Sequence, residues 1–267
     1  MPTFDTPHPI TATVEIAAGA VRLVATDRTD TVVEVRPRDT SRPHDVRAAE
    51  QVRVDFSNGT LAVASNRGFS FPRRGAVVVD VALPSGSRLQ ASVASASVTA
   101  DGEFADCKLA SASGDLTLES VRGKVKADTA SGDVAVGLAM DSASVSTASG
   151  DVTLGVLRGA AKFRTASGSL RVGTLEGDLN AQSASGDVTV IAAVRGRISV
   201  NTASGGVGVG IAEGTAAQLD LQTRSGSVRN SLQPSDGPAD GDETLIVHAR
   251  TASGDVVVER AAGPSAA

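Results

Sequence analysis

The fold of this chain is decided by a short phrase that recurs through its second half and that reads TASGDVTL at residues 147–154. The Ser-Gly step of this phrase returns with spacings of 18, 18, 18, 18, 19, 21 and 28 residues between its glycines. Equal spacings of this kind are typical of repeat proteins in which each repeat is one structural unit. The glycines are expected to form tight structural turns, and they are Gly114, Gly132, Gly150, Gly168, Gly186, Gly205, Gly226 and Gly254.

Each repeat carries two short stretches in which apolar and polar residues alternate, which is the period of a half-buried β-strand. The first stretch follows the glycine and puts Val152 and Leu154 on one face. The second precedes the same glycine, Gly150, and puts Ala143, Val145 and Thr147 on one face. The pattern predicts an all-β fold, a parallel β-solenoid with two-sheet coils of about 18 residues. Because parallel crossovers are almost always right-handed, we expect a right-handed coil.

The composition fits narrow coils. The 267 residues include 28 Gly and 6 Phe but no Trp or Tyr, as expected where two sheets leave room only for small inward side chains. The single cysteine, Cys107, excludes a disulfide framework within the chain and a Cys-rich metal site. Its place in an apolar column predicts a buried, unreactive thiol. The formal net charge of −5 is the wrong sign for binding nucleic acid.

We expect three parts in the chain: residues 1–85 as a β-rich N-terminal capping region, residues 86–260 as the solenoid repeats with an inserted loop at 230–243, and residues 261–267 as a disordered tail. Repeat arrays need covered ends, because a bare terminal coil exposes strand edges and apolar faces. Within the capping region, Asn58-Gly59 predicts a hairpin, since both residues tolerate positive φ. The stretch 37–50 is interpreted as a polar loop with one helical turn.

The start of the chain shows no targeting pattern. Residues 1–10 read MPTFDTPHPI, without a basic start or an apolar core. No cysteine near the start could carry a lipid anchor, and no stretch has the length and apolar character of a transmembrane segment. We therefore expect a cytoplasmic protein.

The coils that read ASGDVTV, as at 184–190, resemble the DUF4097 family of bacterial β-strand-repeat proteins, which are also described as proposed adhesins. The phrases FDTP at 4–7 and TDRTDTVVEV at 26–35 are similar to actinobacterial members, as are EGTAA at 213–217 and SVRNSL at 227–232. The resemblance covers essentially the whole chain and implies a β-solenoid fold. It brings no established activity and no catalytic residues to carry over.

Acid–base chemistry needs convergent groups, and the histidines of this chain are His8, His44 and His248. No Ser-His-Asp order and no paired histidine spacing emerges from their positions. We therefore expect no catalytic residues and no cofactor.

Two polar columns run through the repeats. Asp115, Asp133 and Asp151 occupy one column in successive coils, and they are a calcium candidate, because Ca²⁺ seeks several oxygen ligands and would relieve their repulsion. The interpretation that we favour is that each aspartate hydrogen-bonds its own corner backbone. The second column contains Thr147 and Thr165 and is interpreted as a hydroxyl ladder that satisfies the turn backbone, rather than as a solvent-facing array.

One segment departs from the repeat pattern. Residues 66–75 read NRGFSFPRRG and place Phe69 and Phe71 beside Arg67, Arg73 and Arg74. Basic and aromatic residues together are typical of a contact loop for an acidic partner or a membrane surface. The alternative, which we favour, is that both rings fold onto the first coil as part of the cap. The loop is nevertheless the interaction candidate of the sequence.

The sequence therefore predicts a non-enzymatic structural or interaction protein, a rigid β-solenoid scaffold that presents a repetitive polar surface to a macromolecular partner. That partner is a protein or a surface, not nucleic acid. The first alternative is an adhesin-like module that binds carbohydrate or a cell surface, and the second is a degenerate polysaccharide-active enzyme. Homo-oligomers through the solenoid ends or edges also remain open.

Overall fold

The structure is a computed structural model that describes residues 1–65, 75–234, 237–239 and 241–262. The chain forms two compact units, Met1–Val134 and Ala135–Ala267. Strands account for 72% of the chain and helix for 3%, and the coils of each unit stack through parallel strand pairs. The predicted all-β, parallel β-solenoid fold is confirmed. The right-handed sense of the coil stays a prediction.

The first unit contains a helix besides its strands. Its elements in chain order are β1 (Thr3–Asp5), β2 (Thr11–Thr26), β3 (Asp30–Pro37), α1 (Pro43–Glu50), β4 (Arg53–Ser57), β5 (Thr60–Ala64), β6 (Val77–Pro84), β7 (Ser87–Ser111), β8 (Leu116–Val121) and β9 (Lys124–Ser131). α1 spans eight residues, where a loop with one helical turn was expected. Pro43 in its first turn suits a helix start, and the buried Asp45 anchors the helix by accepting the Ala76 N–H at 2.9 Å.

The strand β2 lies between strands that follow it in the sequence. It pairs in parallel with β7, from Thr11 opposite Arg88 to Ala25 opposite Gly102. On its other side it pairs in parallel with β5 and β6, which together make one coil. The first long strand of the chain is therefore held by hydrogen bonds along both edges. The boundary that we place at residue 85 stays a prediction.

Antiparallel strands cover the outer coil of the first unit. β3 pairs with β6, β1 with β3, and β4 with β5. β4 and β5 form a hairpin through Asn58 and Gly59, and the φ angles of 49° and 71° at these residues confirm the predicted turn. The rings of Phe4 and Phe56 meet with their centroids 5.2 Å apart. This cover ends the parallel array without leaving the edge of the β5–β6 coil open.

The second unit begins within β10 and continues the two-strand coils. Its strands are β10 (Val134–Ala139), β11 (Ser142–Ser149), β12 (Val152–Leu157), β13 (Ala160–Ser167), β14 (Leu170–Glu176), β15 (Asp178–Ser185), β16 (Val188–Ser204), β17 (Val207–Ile211), β18 (Thr215–Ser225), β19 (Val228–Asn230), β20 (Glu243–Ser253) and β21 (Val256–Arg260). Val152, Leu170 and Val188 lie opposite one another in β12, β14 and β16, and each is at most 1% exposed. The predicted buried column is confirmed.

The last two coils of the second unit are exchanged relative to their order in the chain. β20 lies between β16 and β18, and β21 lies between β17 and β19. The coils of this unit therefore do not stack in chain order after β17. The exchange buries the more apolar coil: Val247, Val256 and Val258 are 0% exposed, whereas Val228 of the outer coil is 44% exposed. Asn230, the polar exception in an apolar column, thus lies at the exposed end of the stack.

The corner glycines are required by the neighbouring coil as well as by φ. φ lies between 140° and 152° at Gly150, Gly168, Gly186, Gly205, Gly226 and Gly254, as expected of tight turns. Gly114 and Gly132 do not adopt this conformation. A Cβ on Gly114 would nevertheless overlap the Ala96 carbonyl, and one on Gly186 would overlap the Gly168 carbonyl. Glycine is needed because the backbones of stacked corners touch.

Candidate interaction surface

The contact loop predicted from the sequence lies outside the described residues. Arg67, Phe69, Phe71, Arg73 and Arg74 all fall within the segment 66–74. Both interpretations of this loop therefore stay predictions. Residues 263–267 of the expected tail also lie outside the described part of the chain.

The aspartate column joins neighbouring coils. Oδ1 of Asp115 accepts the N–H of Asp133 at 3.0 Å, and Oδ1 of Asp151 accepts the N–H of Ser169 at 2.8 Å. Asp187 makes the same bond to the coil that follows it. We expected each aspartate to bond the backbone of its own corner. These carboxylates instead accept an N–H from the corner of the neighbouring coil. Parallel strands lie about 4.8 Å apart, which puts the next backbone N–H within reach of a short carboxylate side chain.

These bonds favour the charged form of the carboxylate. The N–H and hydroxyl of Ser227 hold the pKa of Asp255 below its usual range, because both groups donate to Oδ1. Within the described ranges, no group of three His, Cys, Asp or Glu residues is placed to hold a metal ion. The calcium candidate formed by Asp115, Asp133 and Asp151 stays a prediction.

A second set of aspartates, which the sequence analysis missed, joins coils in the same way. Asp106 Oδ1 accepts the N–H of Lys124, and Asp178 Oδ1 accepts the N–H of Arg197, both at 2.9 Å. Neither aspartate belongs to the Ser-Gly phrase. The available signal was the spacing, since each lies 18 or 19 residues before its donor, one coil along the chain.

The hydroxyl column satisfies the corners only in part. The hydroxyls of Thr223 and Thr251 donate to the corner carbonyls of Gly254 and Gly205, at 2.9 and 3.1 Å. Four other buried hydroxyls of the same column have no hydrogen-bond partner among the described residues, which corrects the expected continuous ladder. They belong to Thr129, Thr147, Thr165 and Ser183.

Outward side chains of the second unit form straight files. The register of β11, β13, β15, β16, β20 and β18 places one polar residue of each strand beside the next. We call this set the polar file: Ser146, Arg164, Gln182, Asn201, Arg250 and Gln222. Beside it runs a file of exposed serines at the corners, formed by Ser149, Ser167, Ser185, Ser204, Ser253 and Ser225. Together the two files make a polar face on which a polar side chain recurs once per strand.

A shallow groove of about 510 Å³ lies on this face. Asn201, Gln222 and Arg250 of the polar file line it, and Ala203 and Ala252 lie beside them. The lining includes two arginines, the second being Arg224, and no carboxylate. Amide and guanidinium groups around small side chains suit a ligand that is rich in hydroxyl, carbonyl or carboxylate oxygens.

The coil exchange also creates a Ser, His and Asp neighbourhood that the sequence analysis did not find. His248 lies between Ser199 and Asp220 in one outward file. Nδ1 of His248 is 3.3 Å from Oδ2 of Asp220, and Arg250 also reaches that oxygen at 3.4 Å. Hydrogen bonds from Gln222 and His248 lower the pKa of Asp220. The His248 side chain is 44% exposed, and no hydrogen bond joins it to Ser199 within the described part of the chain.

Cys107 is buried, as its apolar column predicts, and burial raises the pKa of its thiol to about 12. A thiol held in the neutral form is a poor nucleophile. In the described part of the chain, no helix has the length and apolar character needed to cross a membrane.

These features define a β-solenoid repeat protein whose outward faces are polar and regular. The chain belongs to the family described as Toastrack DUF4097, whose model matches residues 21–263. This confirms the resemblance found in the coil sequence.

Two solved structures are similar to this chain over most of its length. A proposed adhesin from Bacteroides fragilis is 13% identical, with 96% of each chain covered and a TM-score of 0.43. A proposed lipid-binding protein from Parabacteroides distasonis is 13% identical, covers 97% of this chain and 95% of its own, and has a TM-score of 0.42. No curated protein matches the chain.

Proposed function

We propose that this protein is a non-enzymatic scaffold and that the polar face of its second unit contacts a macromolecular partner. The observation that carries the proposal is the register of β11, β13, β15, β16, β20 and β18, which aligns outward polar side chains strand by strand. Donors and acceptors therefore recur about every 4.8 Å along the face. Such a spacing suits an extended, polar partner.

The hydrogen-bonded sheet supports this role. Strand side chains stand on a backbone that is already ordered, and binding to a preorganised surface costs less conformational entropy than binding to a mobile loop. The Asp187 carboxylate strengthens the stack by accepting the N–H of Gly206 in the next coil at 2.7 Å. We infer that the solenoid keeps the face rigid while the side chains of the polar file do the binding.

The chemistry of the face supports binding rather than catalysis. His248 and Asp220 form the acid–base pair of this surface, but both side chains are more than one third exposed to water. A nucleophile needs a base within hydrogen-bond distance, and no such bond to Ser199 is found in the described ranges. A solvated pair of this kind fits a polar contact surface.

A carbohydrate or cell-surface ligand is the second candidate, and the groove of about 510 Å³ favours it. Asn201, Gln222 and Arg250 line the groove with planar groups that bond hydroxyl and carboxylate oxygens. The chain offers few aromatic rings for stacking on sugars, with six Phe and no Trp or Tyr. Recognition of a glycan here would therefore depend on hydrogen bonds.

Photo-crosslinking tests which face binds. A crosslinking amino acid is placed at Arg164, in the polar file, or at Arg171, which lies on β14 opposite Thr153 of β12. Both arginines are exposed, and neither makes an ion pair within the described residues. We expect adducts in native cells from position 164 and not from position 171. Adducts from 171 alone, or none from 164, would contradict the proposal.

The carbohydrate candidate has its own test. Binding to soluble polysaccharides that are neutral, amino-substituted or uronate-containing is measured for the wild type, for Asn201→Ala and for Thr189→Ala. Thr189 is the matched control, because it is a polar outward residue of the same strand, β16, and is not among the residues that line the groove. Weaker binding by Asn201→Ala alone supports a ligand in the groove. Equal binding by all three proteins excludes it.

A further inference from the structure

The outermost coil of the second unit has an open edge. β18 pairs with β20 and β19 pairs with β21, and no other strand of the described chain pairs with their second edges. The inward residues Leu219 and Leu221 of β18 are half-buried, whereas the matching Val247 and Ala249 of β20 are 0% exposed. The exchange of the last two coils therefore leaves the less apolar coil, with part of its core, facing outward.

Among the described residues, no proline, lysine or covering strand protects this edge against pairing. Natural sheets block their edge strands with proline, lysine, bulges or a covering element. Residues 215–230 contain neither Pro nor Lys. In the first unit, by contrast, the antiparallel strands β3 and β4 cover the outer coil. An unprotected strand of eleven residues is a template for a further strand.

The charges of β18 indicate what that strand is. Asp220, Gln222 and Arg224 point outward, alternating with the inward Leu219, Leu221 and Thr223 in the register with β20. If two copies of β18 pair antiparallel about a twofold axis through Gln222, Asp220 of each copy lies opposite Arg224 of the other. Opposite charges directly across an antiparallel pair are stabilising, and like charges are destabilising. Arg224 has no ion pair within the described ranges, so its charge is available.

We propose that the protein forms a twofold dimer in which residues 219–225 of β18 pair antiparallel with the same residues of a second copy. An axis through Asp220 would bring two carboxylates together, and an axis through Leu221 would place Asp220 opposite Gln222. The axis through Gln222 is the one that forms two opposite-charge pairs. Because both copies use the same edge, the contact is closed and gives a dimer rather than a filament.

The dimer has a consequence for binding, which rests on the proposed function. A twofold axis of an antiparallel strand pair stands perpendicular to the sheet, so the outward faces of both copies point to the same side. The polar file then continues from Gln222 of one copy to Gln222 of the other. A partner that contacts the polar files of both copies would bind with higher affinity than a partner that contacts one copy, because the two binding sites are linked.

Sedimentation velocity of the full chain across micromolar concentrations tests the dimer without any ligand. We expect the wild type to pass from monomer to dimer. Gln222→Lys puts two like charges at the axis and is expected to raise the dimer dissociation constant about tenfold. Gln218→Lys is the matched control, because it makes the same change on the same outward face but lies opposite Gly226 in this register. It is expected to leave dimerisation unchanged.

A charge exchange tests the two ion pairs. Arg224→Asp is expected to weaken the dimer at least as much as Gln222→Lys, and the double variant Asp220→Arg with Arg224→Asp is expected to restore it. Thermal unfolding followed by circular dichroism verifies that each variant is folded. This control matters most for Asp220→Arg, because that change removes the carboxylate that His248 and Arg250 contact. Failure of the double variant to restore the dimer would overturn the pairing of Asp220 with Arg224.

Three other results would overturn the proposal. The first is a wild type that stays monomeric. The second is a dimer whose dissociation constant is the same in Gln222→Lys as in Gln218→Lys. The third is a dimer whose dissociation constant Gln218→Lys raises. The last result would indicate the axis through Leu221, where residue 218 faces Arg224. The crosslinking experiment at Arg164 is independent, so a failed polar-face test leaves the dimer result intact.

Discussion

Replacing a corner glycine by alanine should destabilise the solenoid well beyond the usual cost of such a change. In Gly186→Ala the new Cβ would overlap the carbonyl of Gly168 in the neighbouring coil, and φ at this residue is 140°. A left-handed conformation costs alanine about 1–2 kcal/mol, and forcing an extra carbon into packed atoms costs about 1–3 kcal/mol. We expect the free energy of unfolding to fall by about 2–5 kcal/mol in urea denaturation followed by circular dichroism.

Two matched glycines separate these costs. Gly214 has a φ of 73°, and a Cβ on this residue would meet no other atom within 4 Å, so Gly214→Ala should lose only the conformational part, about 1–2 kcal/mol. Gly208 has neither positive φ nor a close neighbour, since a Cβ there would lie 3.9 Å from Thr189, and Gly208→Ala should be neutral or slightly stabilising. If Gly186→Ala costs no more than Gly214→Ala, contact between stacked corners is not the reason for the repeated glycine.

Further outcomes test the facing of the strands, the aspartate column and the thiol. Val152→Asp buries an unpartnered charge and should lower the free energy of unfolding by several kcal/mol. Asp151→Asn keeps an oxygen that accepts the Ser169 N–H and should change the free energy of unfolding little. Equal losses in the two variants would contradict the assigned faces of the strand. If the aspartates only join coils, millimolar Ca²⁺ should leave the Tm unchanged, and a rise that Asp133→Asn abolishes would establish a metal site. Because the pKa of Cys107 is raised to about 12, the unfolded chain loses this proton first, so stability should fall above about pH 9, by about 1.4 kcal/mol per pH unit. Cys107→Ala should remove this loss of stability above about pH 9.

Much of the fold follows from local pattern. The inward column that contains Val152 and the hairpin at Asn58 and Gly59 depend on residues close together in the chain, and the structure agrees with both. Alternation decides which side of a strand is buried, and a repeat length decides how many residues complete a coil. Both are set by the geometry of a single strand and a single turn, so neither needs knowledge of distant contacts.

The aspartate bonds and the polar file were harder to predict from the sequence than the strands. The aspartate column was recognised, but the backbone N–H groups that donate to it were assigned to the wrong coil. A carboxylate within reach of two backbone N–H groups cannot be assigned to one of them from spacing alone. The polar file was not identified, because its residues differ in type, from Ser146 through Arg164 to Gln222, and they share only their register. Asp106 and Asp178 were missed because they lie outside the repeated phrase.

The sequence by itself determined the coil, its two strands, its buried columns and its glycine corners, since these depend on local geometry repeated many times. Only the tertiary structure decided the order in which the coils stack within each unit. β2 lies between β7 and the β5–β6 coil, and β20 lies between β16 and β18. The strands of these coils pair in parallel through the same kind of backbone hydrogen bonds, so the backbone alone does not select their order. Which coil pairs with which depends on how much apolar surface the coils of a unit bury together, and no local pattern specifies that total.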